Sequence, residues 1–597
     1  MSTFANALGT VLLMTQLASA TMHATLPTPP DWHGASERLI VGADNPWITP
    51  TEANGFTETP NYADTRAWLE RLDAASPMIH MESFGRSPQG RDLLVVYATP
   101  NGQLDPSKPT LLVQCGIHSG EIDGKEAGMM LLRDIAFGSQ RHLVDHVNLV
   151  FVPIFNVDGH ERSGPFNRPN QRGPNNMGWR NTAQNLNLNR DYVKADAPEM
   201  RAMLGLFQRV HPDLYLDVHV TDGMDYQYDI TYTFQGRDGT YAASPHIARW
   251  LNAHYRPSVD AALSRNGHIP GDLVFAHNER DLSQGLLGYP FTPRYSQAYG
   301  DIAHMASILI ENHSLKPFRQ RVLGTYVLIE ESLRQLAEHG SELRAATQAD
   351  QRDFPATLPA GWRETQQATG TRHFLPMQHE PFNSGSSGAP ETHWTGQPAS
   401  AADVPQYGVE PTISLNRPRA YWVPATKTNV IDVLRAHGIQ FETIAAPRTV
   451  GVDMLRLPDA QVASGPPAEG RTRVNAGTPV RTHSQEWMPA GSIRVPTDQP
   501  LGDLAVIMLD PQSEDSLFAW GFFNEILQRV EYADGYVMAP LADRMLAEDP
   551  ALKREFEARL ASDPAFAANP DARLAWFYAR SAYVDARYQL YPVGIEP

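Results

Sequence analysis

Short apolar runs alternate with amphipathic stretches through the first half of the chain. Leu111-Leu112-Val113 has the pattern of a short buried strand. Ala127, Met130, Leu131 and Ile135 then recur at helical spacing, and Gly138 supplies a stop. The same reading predicts a helix over Tyr62–Leu72 with Trp68, Leu69 and Leu72 on one side, and a strand over Leu93–Tyr97. A further apolar run covers Val147–Phe155. A helix is predicted over Ala197–Val210, with Pro198 tolerated in its first turn, and strands over Leu214–Val220 and Ala306–Ile310. Strands that alternate with helices predict an α/β fold, with a mixed, mostly parallel sheet flanked by helices.

The pattern divides the chain. Residues 21–60, rich in Pro, Thr and Asn, read as an irregular arm, and 61–345 as the main α/β unit, with its last helix ending near Gly340. Residues 346–410 are rich in Gln, Thr, Ser, Gly and Pro, which predicts a linker or loose surface segment. A smaller accessory α/β unit follows over 411–597. It has a strand at Ala420–Val423, a helix over Asn429–His437 stopped by Gly438, and a strand at Phe441–Ile444. A buried strand is expected at Asp503–Leu509 and a helix over Ser516–Gln528. Residues 1–20 read as an export signal, because Ala7–Leu17 is mildly apolar and Ala18-Ser19-Ala20 fits a cleavage site. The expected location is therefore periplasmic or secreted.

Composition adds bounds. At 42% apolar and 19% charged residues, the 597-residue chain can bury a large core. A net charge of -18 argues against nucleic acid or an anionic membrane surface as partner. No later segment approaches the ~20 apolar residues of a membrane helix, so no membrane insertion is expected. Cys115 is the single cysteine, which excludes an intramolecular disulfide; it reads as a small buried hydrophobe.

Candidate chemistry gathers at predicted strand ends. His118 and Glu121 lie on the loop that leaves the Leu111–Val113 strand. In open α/β sheets ligands bind outside the carboxyl ends of strands. An imidazole and a carboxylate are two of the three protein ligands that a catalytic zinc needs. His219 closes the 214–220 strand and could be the third. Glu311 ends the 306–310 strand, where a carboxylate could serve as general base. The long loop over 163–185 carries Trp179-Arg180, and Asn189-Arg190 follow soon after. An arginine fork grips a carboxylate through two hydrogen bonds, and an asparagine adds a neutral donor.

Taken in order, these residues resemble a family. His118-Ser119-Gly120-Glu121, Asn156-Val157-Asp158-Gly159, Trp179-Arg180, Leu188-Asn189-Arg190, His211–His219 and Leu309-Ile310-Glu311 fall in the sequence seen in zinc metallocarboxypeptidases of the carboxypeptidase A type. The Phe84-Gly85-Arg86-Ser87 and Gly90-Arg91 turn is also similar to that family, and the resemblance covers roughly residues 60–340. It implies one zinc per chain, held by His118, Glu121 and His219, with a zinc-bound water activated by Glu311. It implies that Arg180 polarises the scissile carbonyl, and that Asn189 and Arg190 hold the terminal carboxylate of a peptide with a free C-terminus. Tyr289, Tyr295 and Tyr299 compete for the role of a substrate-capping tyrosine, and the first two are taken as substrate-binding. Two alternatives stay open. A related zinc amidase or deacylase would use the same ligands on cell-wall or small acylated amides, and an inactive binding module would keep only the fold.

Overall fold

The computed structural model describes residues 26–597; the expected export signal over 1–20 lies outside the described residues. The main unit is built on an eight-stranded mixed sheet. Its strands are β1 (Ile79–Arg86), β2 (Asp92–Ala98), β3 (Thr110–Cys115), β4 (Asn148–Val152), β5 (Leu214–Val220), β6 (Ile230–Thr233), β7 (Pro270–Asp272) and β8 (Ala306–Asn312). Their order across the sheet is β1-β2-β4-β3-β5-β8-β6-β7. The central four, β4, β3, β5 and β8, run parallel. Strands of this kind are covered on both faces, which is why their sequences read as continuous apolar runs.

Side chains alternate across the sheet and feed two cores. Leu111, Val113, Cys115, Leu216 and Ile308 face one side, against α1 (Tyr62–Ala75), α2 (Asp123–Phe137) and the long α6 (Phe318–Asp350). Leu112, Val150 and Tyr215 face the other side, against α3 (Pro198–Val210). Between α3 and α6 the chain adds α4 (Pro245–Trp250) and α5 (Arg256–Arg265). Gly124 lets α2 approach the sheet, because a Cβ there would sit 2.6 Å from Cys115 Sγ. Cys115 is accordingly fully buried.

Several local expectations need correction. The last helix does not end near Gly340 but runs to Asp350. Gly340 is a contact glycine, not a stop: a Cβ there would meet Pro109 Cγ at 2.7 Å. Residues 346–410 do not form a loose linker. After α6 ends, β9 (Thr357–Phe374) and β12 (Ala402–Asn416) pair as a long antiparallel ribbon, and β10 (Met377–Asn383) pairs with β11 (Pro390–Pro398). Much of the ribbon is exposed, so it shows no apolar alternation and reads as loop. Asp503–Leu509 is not a strand but part of a helix, Gly502–Leu509, buried on every side. Such a helix has no polar face to mark its period. The helix expected over Ser516–Gln528 is broken into turns, and Gly521 at φ +78° ends its first one.

The second half contains a six-stranded antiparallel sheet. Ala420–Val423 lies at its centre, paired with Ile493–Pro496 on one side and with Gly594–Glu596 on the other. Its core is continuous with that beneath α3. Met200, Met203 and Phe207 belong to one buried cluster with Val430, Leu434, Trp520 and Tyr591. Polar contacts brace the same seam: His437 bonds the Val193 carbonyl at 2.9 Å, and Arg471 pairs with Asp196 at 2.6 Å.

Candidate active site

Three neighbouring parallel strands deliver the site. Because β3, β5 and β8 run the same way, their carboxyl ends lie side by side, and His219 is the register partner of Glu311. Beyond β3 the chain turns at Gly116, whose φ of +66° is a conformation that favours glycine. The loop then carries His118 and Glu121 over the end of β5. Neighbouring motifs hold it in place. Ser119 donates to the Asn156 carbonyl at 2.6 Å, and the Asn156 side chain bonds the Arg180 carbonyl at 3.2 Å. Asp158 receives Ser87 at 2.8 Å and Arg91 at 2.7 Å, so the Phe84–Arg91 turn is tied to the same support.

His118, Glu121 and His219 are buried together and converge closely enough to hold one metal ion. His118 Nδ1 lies 3.1 Å from Glu121 Oε1, and His219 Nδ1 lies 2.9 Å from Glu121 Oε2. The far side of each ring meets an oxygen. His118 Nε2 is 3.0 Å from Asn187 Oδ1, and His219 Nε2 is 2.9 Å from Asp217 Oδ2, the latter off the ideal hydrogen-bond line. With the proton on Nε2, directed at these oxygens, each ring would turn an Nδ1 lone pair toward a metal ion. Fixing the tautomer from behind is how metal-ligating histidines are oriented.

Electrostatics also favour a cation. Burial opposes the charged form of His219, yet Asp217, Glu121 and Glu311 hold its pKa well above the ordinary imidazole value. His118, with burial dominant, falls to about 4. Burial also opposes ionisation of Glu121, but His118 and Arg168 hold its carboxyl well below the usual range. Glu311 is different. Burial, reinforced by Glu121 and Asp222, pushes its carboxyl up to about 8, against the pull of His219 and Arg180. The donor set and the surplus of carboxylates together fit zinc, which takes His and Glu ligands.

A cavity of about 310 Å³ opens beside this cluster, lined by His118, Glu121, Arg180, Asn189, Arg190, Tyr289, Tyr295 and Glu311. Arg190 stacks on Tyr295, its guanidinium carbon 4.2 Å from the ring centre, and Tyr289 and Tyr295 hydroxyls meet at 2.6 Å. Tyr299 is elsewhere: it is buried and bonds His437 at 2.9 Å. Asn189 Oδ1 and Glu311 Oε2 are buried with no hydrogen-bond partner among the described residues. Unpaired buried polar atoms are rare and costly, and here they flank a cavity. Sequence reasoning missed Arg168, whose guanidinium lies 3.0 Å from Glu121, as well as Asn187, Asp217 and Asp222. Asp217 had a signal: it sits two residues before His219 on one strand, hence on the same face. Arg168 had none, being one arginine on a long irregular loop.

Residues 65–268 match the zinc carboxypeptidase family, peptidase M14. The match includes both histidines, Glu121, Arg180, Asn189 and Arg190, while Glu311 lies beyond it. The chain is similar to that family over about a third of its length. Carboxypeptidase A6 from Homo sapiens is 33% identical over 105 residues, which are 16% of this chain and 23% of that protein. The chain thus spans about a quarter of the human relative's length. Carboxypeptidase 2 from Trichophyton rubrum is 22% identical over 502 residues, 79% of this chain and 86% of that protein. The crystal structure of carboxypeptidase A from Helicoverpa armigera aligns with a TM-score of 0.36 at 18% identity, covering 48% of this chain and 75% of that one.

Proposed function

We propose that the chain is a zinc-dependent metallocarboxypeptidase that cleaves the last peptide bond of substrates with a free C-terminus. The reading rests on one observation: His118 and Glu121 of a metal-competent cluster with His219, a buried carboxylate and an arginine beside an asparagine line one cavity. Zinc held by the three residues supplies Lewis acidity, which lowers the pKa of water and polarises a carbonyl. Glu311 Oε2, unpaired and buried, takes the proton of the attacking water. Glu311 then passes that proton to the leaving amine. Arg180 donates to the carbonyl oxygen as negative charge develops there, a contribution of roughly 3–4 kcal/mol for a well-placed donor. Arg190 and Asn189 grip the terminal carboxylate, and Tyr295 and Tyr289 close over the substrate. The Ala18-Ser19-Ala20 pattern supports an exported form that begins near Thr21.

The carboxylate grip separates this reading from an amidase. A charge-assisted hydrogen bond of this kind contributes roughly 1.5–3 kcal/mol. Amidating the C-terminus of one peptide should therefore lower kcat/KM by roughly one to two orders of magnitude. Arg190→Ala should lose activity on the free acid and narrow the gap between the two peptides. Equal rates of wild-type protein on both forms would remove the carboxypeptidase reading.

A further inference from the structure

A second His-x-x-Glu pair lies on α6. His339 and Glu342 are one helical turn apart, and His339 Nδ1 is 3.0 Å from Glu342 Oε1. A third group reaches them from a neighbouring helix: His254 Nε2 lies 3.4 Å from Glu342 Oε2. The two imidazole rings stand 4.2 Å apart between centres. All three ligand atoms lie within 4.8 Å of one another. In a tetrahedral zinc site with bonds of ~2.0–2.1 Å, ligand atoms are ~3.3 Å apart, so these side chains are nearly in place.

The backbone is shaped around this cluster. His254 sits in a π turn, Leu251–Tyr255, inserted between α4 and α5. Turns of this type are rare and cluster at functional sites. Trp250, at the end of α4, packs against His254 and donates to the His339 carbonyl at 3.2 Å, which holds the two helices in register. The imidazoles are partly exposed, at 32% for His254 and 24% for His339, and Glu342 is open to solvent. An ion could enter without rearrangement. None of the three lines the catalytic cavity.

We propose that His254, His339 and Glu342 form a second metal site, taking one zinc-like divalent transition ion per chain with water completing its coordination. Two imidazoles and a carboxylate select zinc, copper or nickel over calcium or magnesium, which want oxygen alone. The site ties α6 to the π turn. Glu338 Oε1 lies 3.6 Å from the far nitrogen of His339, at the edge of the cluster.

The probe is zinc itself. Protein dialysed free of loosely held metal is titrated with zinc chloride at micromolar concentration by calorimetry, with retained metal counted by elemental analysis. One further equivalent should bind. His254→Ala should weaken that equivalent by ~100-fold or more, since changes outside the ligand shell alone cost roughly 10–100-fold. Glu342→Gln, a change at a solvent-facing position, should weaken it in the same sense, and both variants should keep wild-type peptide hydrolysis. In His118→Ala the further equivalent should still bind, which separates it from the catalytic cluster. Absence of a further equivalent in wild-type protein, or its persistence at full affinity in both His254→Ala and Glu342→Gln, would overturn the proposal.

Discussion

His118-Ser119-Gly120-Glu121 and His339-Gly340-Ser341-Glu342 are nearly the same four residues with the middle pair reversed. Each is completed by a histidine from another element, and each brings its ligand atoms within 4.8 Å. Their surroundings differ. The first pair sits on a loop at the carboxyl edge of a parallel sheet, with both side chains only 2% exposed. Its imidazoles are backed by Asn187 and Asp217, its carboxylate by Arg168 and Arg180, and Glu311 stands beside it. The second lies on the surface of a helix. Among the described residues, the ion-pair partners of Glu342 are the two imidazoles alone. Ligand spacing supplies affinity for an ion in both places. Burial, oriented tautomers and a carboxyl with raised proton affinity are what add chemistry, and only the first has them.

The comparison is sharpened by breaking each side in turn. The largest effect is expected from the imidazoles. His118→Ala should lose one equivalent of zinc and lower kcat/KM by more than ~10⁴-fold, because both metal polarisation and the water that Glu311 deprotonates are lost. His339→Ala should leave kcat/KM unchanged. Peptide assays with metal analysis on both variants decide it; a hydrolytic defect in the second would erase the distinction. Next come the carboxylates. Glu311→Gln should retain zinc and lose roughly 10²–10⁴-fold in turnover, since an amide cannot take the proton. A variant that kept near-native turnover would remove Glu311 from its assigned role.

The smallest effect concerns pH. Activity should fall on the acid side as Glu311 gains its proton. Asp222 is one of the negative charges that raise the Glu311 pKa, so Asp222→Asn removes an obstacle to ionisation. The acid limb of the kcat/KM profile should therefore move to lower pH. The shift should stay under ~1 unit, because the Asp222 side chain is 71% exposed and its charge is screened. A limb that moved upward would contradict the electrostatic account of the site.

The residues that meet at the cavity were legible because each ends an apolar strand or sits in an ordered motif. His118 follows β3, His219 ends β5 and Glu311 lies near the end of β8, so a parallel sheet necessarily gathers them. Supporting groups were harder to read. Arg168 reaches Glu121 from a loop without periodicity, and Asn187 meets His118 across 69 positions of sequence. The second half failed for a different reason. Residues 357–416 build a ribbon with much of both faces wet, and 502–509 a helix with no face wet. Amphipathic contrast vanishes at both extremes, and with it the signal that separates loop, strand and helix.

The place of Gly594–Glu596 inside the six-stranded sheet bears on synthesis. These residues leave the ribosome after every strand that they join, yet they pair with Ala420–Trp422 on one side and with Asp453 on the other. Until they arrive, that sheet is split. Met200, Met203 and Phe207 of α3 then lack a finished partner surface for their apolar side. A nascent chain in that state exposes the kind of surface that drives aggregation and recruits chaperones. Closure of that sheet thus waits for residues 594–596, and a product truncated before them would lack the strand that bridges its two parts although the eight-stranded sheet was made long before.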